Sequence, residues 1–304
     1  MIVVSRAPAY ATVQDTGRIG FRSSGVPRAG AMDPQALSTL NVLLGNDATA
    51  AGIELALTGG ELEFTAAATI AIGGAEASAT LNAAPVEEYR AHRAAAGDVL
   101  SVQGITRGRF LYIAVAGGID IPFVLRSRST YVPGAFGGVE GRRLKVGDSL
   151  PIGAAVPRRR HQVTDPLPVA LRPLRERDTV RFVPRGDAGP SIDGTFVVSP
   201  ASDRTGYRLL GSPRDDGASI TSEPVCPGTI QLPPGGEAIV LMAEAPTIGG
   251  YRIMGAVAGA DLGVLAQRLP GETIVLEPIT VERAQREAER RAETLSRVGE
   301  WGLA

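Results

Sequence analysis

The sequence predicts a mainly β protein with a few helices, organised in two β-rich halves. Three observations carry that reading: short β-type runs bounded by glycine and proline, a proline-rich break in mid-chain, and one phrase that occurs on each side of it. The 38 glycines and 22 prolines among 304 residues are scattered, so they punctuate short elements and form no low-complexity tract. Between them lie "ELEFTAAATIAI", "DVLSVQG", "RFLYIAVAGG", "TVRFVP", "TFVVSP", "AIVLMAEA" and "TIVLEPIT". Short strands separated by such turn residues read as barrels or sandwiches.

Helix signals are few. In "DPQALSTLNVLLGN", Asp33 can cap, Pro34 suits the first helical position and Gly45 suits the exit. Leu37, Leu40 and Leu44 then make one apolar stripe. "ADLGVLAQRLPG" reads as a shorter helix with Asp261 as its cap and Pro270-Gly271 as its stop. "TVERAQREAERRAETLSRVGEW" reads as the last helix, with Val281, Ala284, Ala288, Ala292 and Leu295 on one face. Its outer face carries Glu282–Arg286 and Glu287–Arg291 at i, i+4, the pattern of a solvated surface.

The break is "PIGAAVPRRRHQVTDPLPVALRPLRERDTV", which has five prolines and no sustained apolar period. It places the junction near residues 155–178 and divides the chain into segments 1–160 and 175–304. The basic cluster Arg158 to Arg160 reads as linker solvation. Each half holds one copy of R-x-G-[FY]-R-x-x-G, as "RIGFRSSG" from Arg18 and as "RTGYRLLG" from Arg204.

Composition excludes several functions. The 31 basic and 32 acidic residues nearly cancel, so there is no basic excess of the kind that binds nucleic acid or anionic membranes. No apolar run approaches the ~20 residues of a membrane helix. The start, "MIVVSRAPAY", lacks the basic region and long apolar core of a secretory signal. A single cysteine, Cys226, allows no internal disulfide framework and fits a reducing cytosol. With His92 and His161 as the two histidines, both read as ordinary partly exposed residues, a zinc set is not expected. No phosphate loop, dinucleotide fingerprint, H-E-x-x-H or G-x-S-x-G is present.

Polar groups gather instead in four glycine-rich stretches: "VQDTGRIGFRSSGVPRAGAMD", "RSRST" with "GAFGGVEGRRLKVGD", "SPASDRTGYRLLG" and "APTIGGYRIMG". Glycine lets a backbone approach a ligand closely, and arginine's planar fork grips carboxylate or phosphate. The expectation is that several of these stretches line a common pocket for a small anion. Asp15 near Arg18, and Asp203 beside Arg204, would orient those guanidinium groups.

The same stretches, with "GIELALTGGELEF", "YIAVAGGIDIPFVLRSRST" and "EPVCPGTIQLPPGGEAIVLMAEAPTIGGYRIMGAVAGADLGVLAQRLPG", carry a family resemblance from about residue 2 to residue 280. The chain resembles the carboxyltransferase-type family called allophanate hydrolase subunit 2. That family includes the C subunit of 5-oxoprolinase and part of the carboxyltransferase region of urea amidolyase. The resemblance implies two tandem cyclophilin-like β-barrel subdomains, with the repeated phrase marking equivalent architecture in each. It also implies ATP-dependent opening of 5-oxo-L-proline to L-glutamate in the cytoplasm, together with a KipI/PxpB-like subunit and a PxpA (LamB/YcsF)-like subunit. A divalent metal such as magnesium would accompany ATP, with Asp15 or Asp203 helping to hold it. Two alternatives stay open: a biotin-dependent carboxyltransferase component, and a non-catalytic antagonist that binds a KipI-like partner. No A-M-K-M-like sequence is present, so any biotin would arrive on another protein.

Carried over position by position, the family's motifs nominate Asp15, Arg18, Arg128, Asp203 and Arg204 as catalytic. They nominate Arg22, Ser129, Thr130, Tyr207, Arg208, Gly249, Gly250, Tyr251 and Gln267 as substrate-binding. There are two departures. "MAEAPTIGGY" has Glu244 displaced and Ala245 where a polar side chain is expected, and Arg126 stands where a glycine commonly precedes Ser-Arg-Ser-Thr.

Overall fold

A computed structural model describes residues 1–155, 171, 174–186, 192–212 and 220–300. The Arg158–Arg160 cluster and His161 lie outside the described residues. The first half is built on a nine-stranded sheet whose strands fall between Ile2 and Leu150. Its path runs Ala11–Gln14, Gly52–Ala56, Val99–Val115, Glu61–Phe64, Ile2–Arg6 and Ser149–Leu150, with Ala68–Leu81 paired to Val99–Val115 off that path. The runs "DVLSVQG" and "RFLYIAVAGG" are one 17-residue strand. Its pairing with Ala68–Leu81 slips at Gly74/Glu76, Glu76/Ala77 and Ser78/Ala79. Bulges of this kind increase local twist, and they curl the sheet around an apolar interior that includes Ile2, Val13, Ile53, Phe64, Ile72 and Leu111.

The second half is a closed seven-stranded barrel. Its strands run in the order Thr179–Pro184, Arg252–Val257, Thr229–Leu232, Ala238–Leu241, Gly206–Leu210, Gly194–Val198 and Thr273–Pro278. Thr273–Pro278 closes it by pairing parallel to Thr179–Pro184, and closure leaves no free strand edge. A two-stranded ribbon, Glu223–Pro224 with Ile248–Gly249, stands beside the barrel.

Helix α1 spans Pro34–Leu43, and the Asp33 carboxylate caps it by accepting from the Ala36 amide at 3.1 Å. Leu37 and Leu40 are buried as their spacing predicts. They share one apolar cluster with Phe182, Leu209 and Val264 of the second half, so α1 is a wedge between the halves. Helix α2 is short, Leu262–Ala266, with Asp261 at its cap position as expected. Asp261 makes no capping bond; its carboxylate is held by the Arg181 guanidinium at 2.7 and 2.8 Å. A charge-assisted fork outcompetes a single amide donor.

Helix α3 spans Val281–Glu300. Its half-buried positions include Ala284, Glu287, Arg291 and Leu295, while Ala288 and Ala292 are exposed. The buried face is therefore rotated from the alanine stripe, and Glu287 turns inward to Arg181 at 3.5 Å. No described helix is long and apolar enough to cross a membrane.

The two copies of R-x-G-[FY]-R-x-x-G do not adopt equivalent structures, which corrects that expectation. The first copy is a loop leading into a 3-10 turn at Arg22–Ser24, and the second runs into the strand Gly206–Leu210. They share one backbone feature, a left-handed final glycine: φ is 76° at Gly25 and 86° at Gly211.

Candidate functional site

The four glycine-rich stretches meet at the junction of the two halves. The Asp15 carboxylate accepts from the Ser127 and Ser129 hydroxyls at 2.7 and 2.5 Å and from the Arg128 amide at 2.6 Å, joining the first stretch to the second. Thr130 donates its amide and its hydroxyl to the Val13 carbonyl. Arg204 donates to the Gly30 carbonyl at 2.7 Å, joining the first stretch to the third, and to Glu244 at 2.6 Å, just ahead of the fourth. Arg22 reaches across the junction to the Val225 and Pro246 carbonyls.

Gly17 makes the first of these loops possible. Its φ is +87°, and a Cβ there would lie 2.7 Å from the Ala29 and Arg28 carbonyl oxygens. That close return lets Arg18 donate its amide to Arg28 at 2.7 Å and turns the Arg18 side chain inward.

A buried polar network fastens the halves. Glu54, fully buried in the strand Gly52–Ala56, accepts from Arg204, from the Met32 amide at 2.8 Å and from the Tyr112 hydroxyl at 2.7 Å. Burial pushes the Glu54 carboxyl above its ordinary range, with Arg204 pulling the other way. Tyr112 in turn accepts from the Asp33 amide at 2.7 Å. Gln267 donates to Asp33 at 3.1 Å and to the Phe110 carbonyl at 3.0 Å, and accepts from the Arg109 and Phe110 amides. Tyr207 accepts from Arg109 at 2.9 Å and donates to the Ala266 carbonyl at 3.0 Å. Nearby, burial first of all lifts the Tyr10 hydroxyl to about 12.

This sorts the nominated residues. Arg204, Tyr207 and Gln267 are buried at the junction with their polar groups engaged by protein. Arg128 pairs with Asp120 and donates to the Ile121 carbonyl at 2.6 Å, beside the Phe123 ring. Neither aspartate orients the arginine near it. Asp15 is taken by the two hydroxyls and by the Gly17 and Arg128 amides, and Asp203 by the Thr205 and Gly206 amides at 2.7 and 3.2 Å. Arg208 and Tyr251 are exposed. Gly249 lies in the outlying ribbon and Gly250 directly follows it; a Cβ on Gly249 would collide with Gln231.

Arg18 is different. Its side chain has no exposed surface, its Nη2 donates to the Ser129 carbonyl, and the Phe136 ring centroid lies 4.7 Å from its central carbon. Nε and Nη1 have no hydrogen-bond partner. Loss of water lowers the pKa of this guanidinium, with Asp15 opposing, but arginine remains a cation at any physiological pH. Among the described residues, it forms no ion pair within 4 Å. Arg22 Nη1 is likewise buried and unpartnered.

A divalent metal does not fit the oxygens proposed for it. Among the described residues no group of three or more His, Cys, Asp or Glu could hold one, and Asp15 and Asp203 already face N–H and O–H donors. Sequence reasoning missed Glu54 and the part played by Phe136. A lone carboxylate inside the apolar strand "GIELA" was the available signal for Glu54, since a buried charge demands a partner. Phe136 offered none beyond its glycine neighbours.

These features, a curled sheet and a closed barrel fastened through a buried junction, match known proteins. The chain belongs to the family described as carboxyltransferase domain, subdomain A and B, whose model matches residues 24–278. It is 34% identical over 294 residues to the C subunit of 5-oxoprolinase from Haemophilus influenzae, and 36% identical over 294 residues to that of Escherichia coli. In both comparisons the match covers 93% of each chain. Among solved structures, that of Kluyveromyces lactis urea carboxylase aligns with all of this chain at a TM-score of 0.88 and 28% identity. This chain spans 29% of that protein's length.

Proposed function

We propose that this chain is the C subunit of an ATP-dependent 5-oxoprolinase, working in the cytoplasm with a KipI/PxpB-like and a PxpA-like subunit. The observation that supports it most is the end-to-end match, at 34% and 36% identity, to two proteins named as the C subunit of 5-oxoprolinase. The two halves, residues 1–160 and 175–304 on this reading, act as one unit because their junction is buried and hydrogen-bonded.

Amide resonance makes a lactam carbonyl a poor electrophile. In the proposed reaction ATP transfers its γ-phosphoryl group to the lactam oxygen. One water then adds to the carbonyl carbon, the C–N bond breaks with the nitrogen taking a proton, and a second water hydrolyses the resulting acyl phosphate. Glutamate, ADP and phosphate leave. Such chemistry depends on positioning and charge neutralisation. This chain's contribution is a desolvated cation, Arg18, held within the first half by Ser129 and Phe136.

The test is reconstitution of the chain with both partner subunits. ADP and glutamate should appear in equal amounts from 5-oxo-L-proline and ATP, and only when all three proteins are present. A complete mixture without turnover refutes the reading. The structural match to urea carboxylase favours a second reading, transfer of a carboxyl group from a biotinylated carrier, and activity abolished by avidin would select it.

A further inference from the structure

We propose that the Arg18 guanidinium anchors the carboxylate of a small cyclic-amide substrate; the inference rests on the activity proposed above and deepens it.

Arg18 carries an unbalanced charge. A cation removed from water opposes folding unless it is paired. Arg204 shows how this molecule settles that cost, with Glu54 and Glu244 both on its guanidinium. Arg18 is as thoroughly excluded from solvent and receives one neutral acceptor, the Ser129 carbonyl. Nε and Nη1 remain without one. The Phe136 ring lies against this group, so the missing partner is an oxygen reaching those two nitrogens.

Charge sets the ligand class. The one nearby carboxylate that acts on Arg18 is Asp15, already filled by four donors. A single guanidinium beside a fixed anion suits a monoanion, such as a carboxylate, better than a phosphate dianion. Arg128 and Arg204, by contrast, are paired with protein carboxylates.

Access sets the moving part. The turn Tyr131–Phe136 closes on itself through paired amides and carbonyls, and Gly137 follows with φ +71° directly over Arg18 Nη2. A ligand enters when this turn lifts, and the backbone freedom of Gly137 and Gly138, both at positive φ, permits it.

The experiment uses the full-length chain, with thermal shift and calorimetric titration against three probes: 5-oxo-L-proline, 2-pyrrolidinone (the same ring without the carboxylate) and inorganic phosphate. Wild type should bind 5-oxo-L-proline at least about tenfold more tightly than 2-pyrrolidinone, since a site built to pair one group rejects the analogue lacking it. Arg18→Lys should lose about tenfold or more in that affinity, because an ammonium cannot reproduce the planar fork. Arg18→Met should lose binding while its ligand-free melting temperature holds or rises, because an uncompensated buried charge is gone.

Three results overturn the proposal: equal affinity for the two lactams, tighter binding of phosphate than of 5-oxo-L-proline, or an Arg18→Lys variant that binds like wild type. Should Arg18→Met fail to fold, Phe136→Leu serves in its place. It should weaken 5-oxo-L-proline binding and leave 2-pyrrolidinone unchanged, and equal weakening of both counts against the anchor. Turnover separates the two ideas. A wild-type complex that binds the lactam through Arg18 and releases no glutamate sinks the activity alone. A complex whose Arg18→Lys variant keeps its KM sinks the anchor alone.

Discussion

Replacing Arg204 by methionine tests whether the junction is held by charge. The substitution keeps much of the side-chain volume and removes donations to Glu244 at 2.6 Å, to Glu54 and to the Gly30 carbonyl at 2.7 Å. Breaking a buried ion pair from one side costs about 3–5 kcal/mol, because the partner charge stays behind. Here Glu54 is fully buried and keeps only the Met32 amide and the Tyr112 hydroxyl. The loss at pH 7.5 should therefore fall in that range.

Its pH dependence follows from the direction of the Glu54 shift. Burial already raises that carboxyl above 4.5, and Arg204 opposes the rise, so removing Arg204 raises it further. Over the interval between 4.5 and the raised value, the folded variant holds a proton that the unfolded chain has released. Its stability then increases as the pH falls through that interval. Urea unfolding followed by circular dichroism at pH 7.5 and pH 5 reads both effects. The double variant Glu54→Gln/Arg204→Met should be more stable than Arg204→Met alone, the sign of direct coupling. A loss below about 1 kcal/mol at neutral pH, or one of equal size at both pH values, refutes a charge-held junction.

The remaining predictions concern single sites. Gly137→Ala places a methyl group against Arg18 Nη2 and the Ser129 carbonyl at φ +71°. It should cost about 1–3 kcal/mol in chemical denaturation and abolish lactam binding. Arg128→Ala should change stability by less than about 1 kcal/mol and leave reconstituted turnover near wild type, since its partner Asp120 is more than half exposed. Asp261 is pushed up by burial, but its bonds with Arg181 outweigh this and hold its carboxyl below 3.8. That group gives stability present above its ordinary value and lost as the pH falls through the lowered one. Asp261→Asn should therefore flatten the acid limb of an unfolding curve below about pH 4.

What the sequence made legible was local. The strands around Phe64, Val180, Val198 and Leu276 declared themselves through β-type runs and turn residues, and α1 through Asp33, Pro34 and its leucine spacing. At three positions a nearby cue meets a distant partner. Asp261 looked like a cap and is drawn to Arg181, 80 positions away. Arg204 looked like a ligand-binding group and meets Glu54 across 150 positions. Gln267 looked like a substrate contact and closes on Asp33 across 234. The first pairing is decided by how the barrel closes and the other two by how the two halves dock, and no periodicity along the chain encodes them.

The repeated phrase shows the same limit from the other side. Arg18 and Arg204 occupy matching positions in the motif, and both are buried. One precedes a strand of a closed barrel, where Glu244 on the same side and Glu54 across the junction converge on it. The other lies in a loop bent back at Gly17, where the nearest carboxylate is occupied by serine hydroxyls and amides. A motif that repeats a guanidinium therefore specifies the cation and leaves its counter-ion to the surrounding fold. At the barrel copy the fold supplies that counter-ion twice; at the loop copy it supplies a carbonyl and an aromatic ring. An uncompensated buried cation opposes folding, so keeping one at Arg18 makes sense where an anion from solution completes it. The physical difference between the two copies, and not their shared letters, separates a buried guanidinium with two unpartnered nitrogens from one held by two carboxylates.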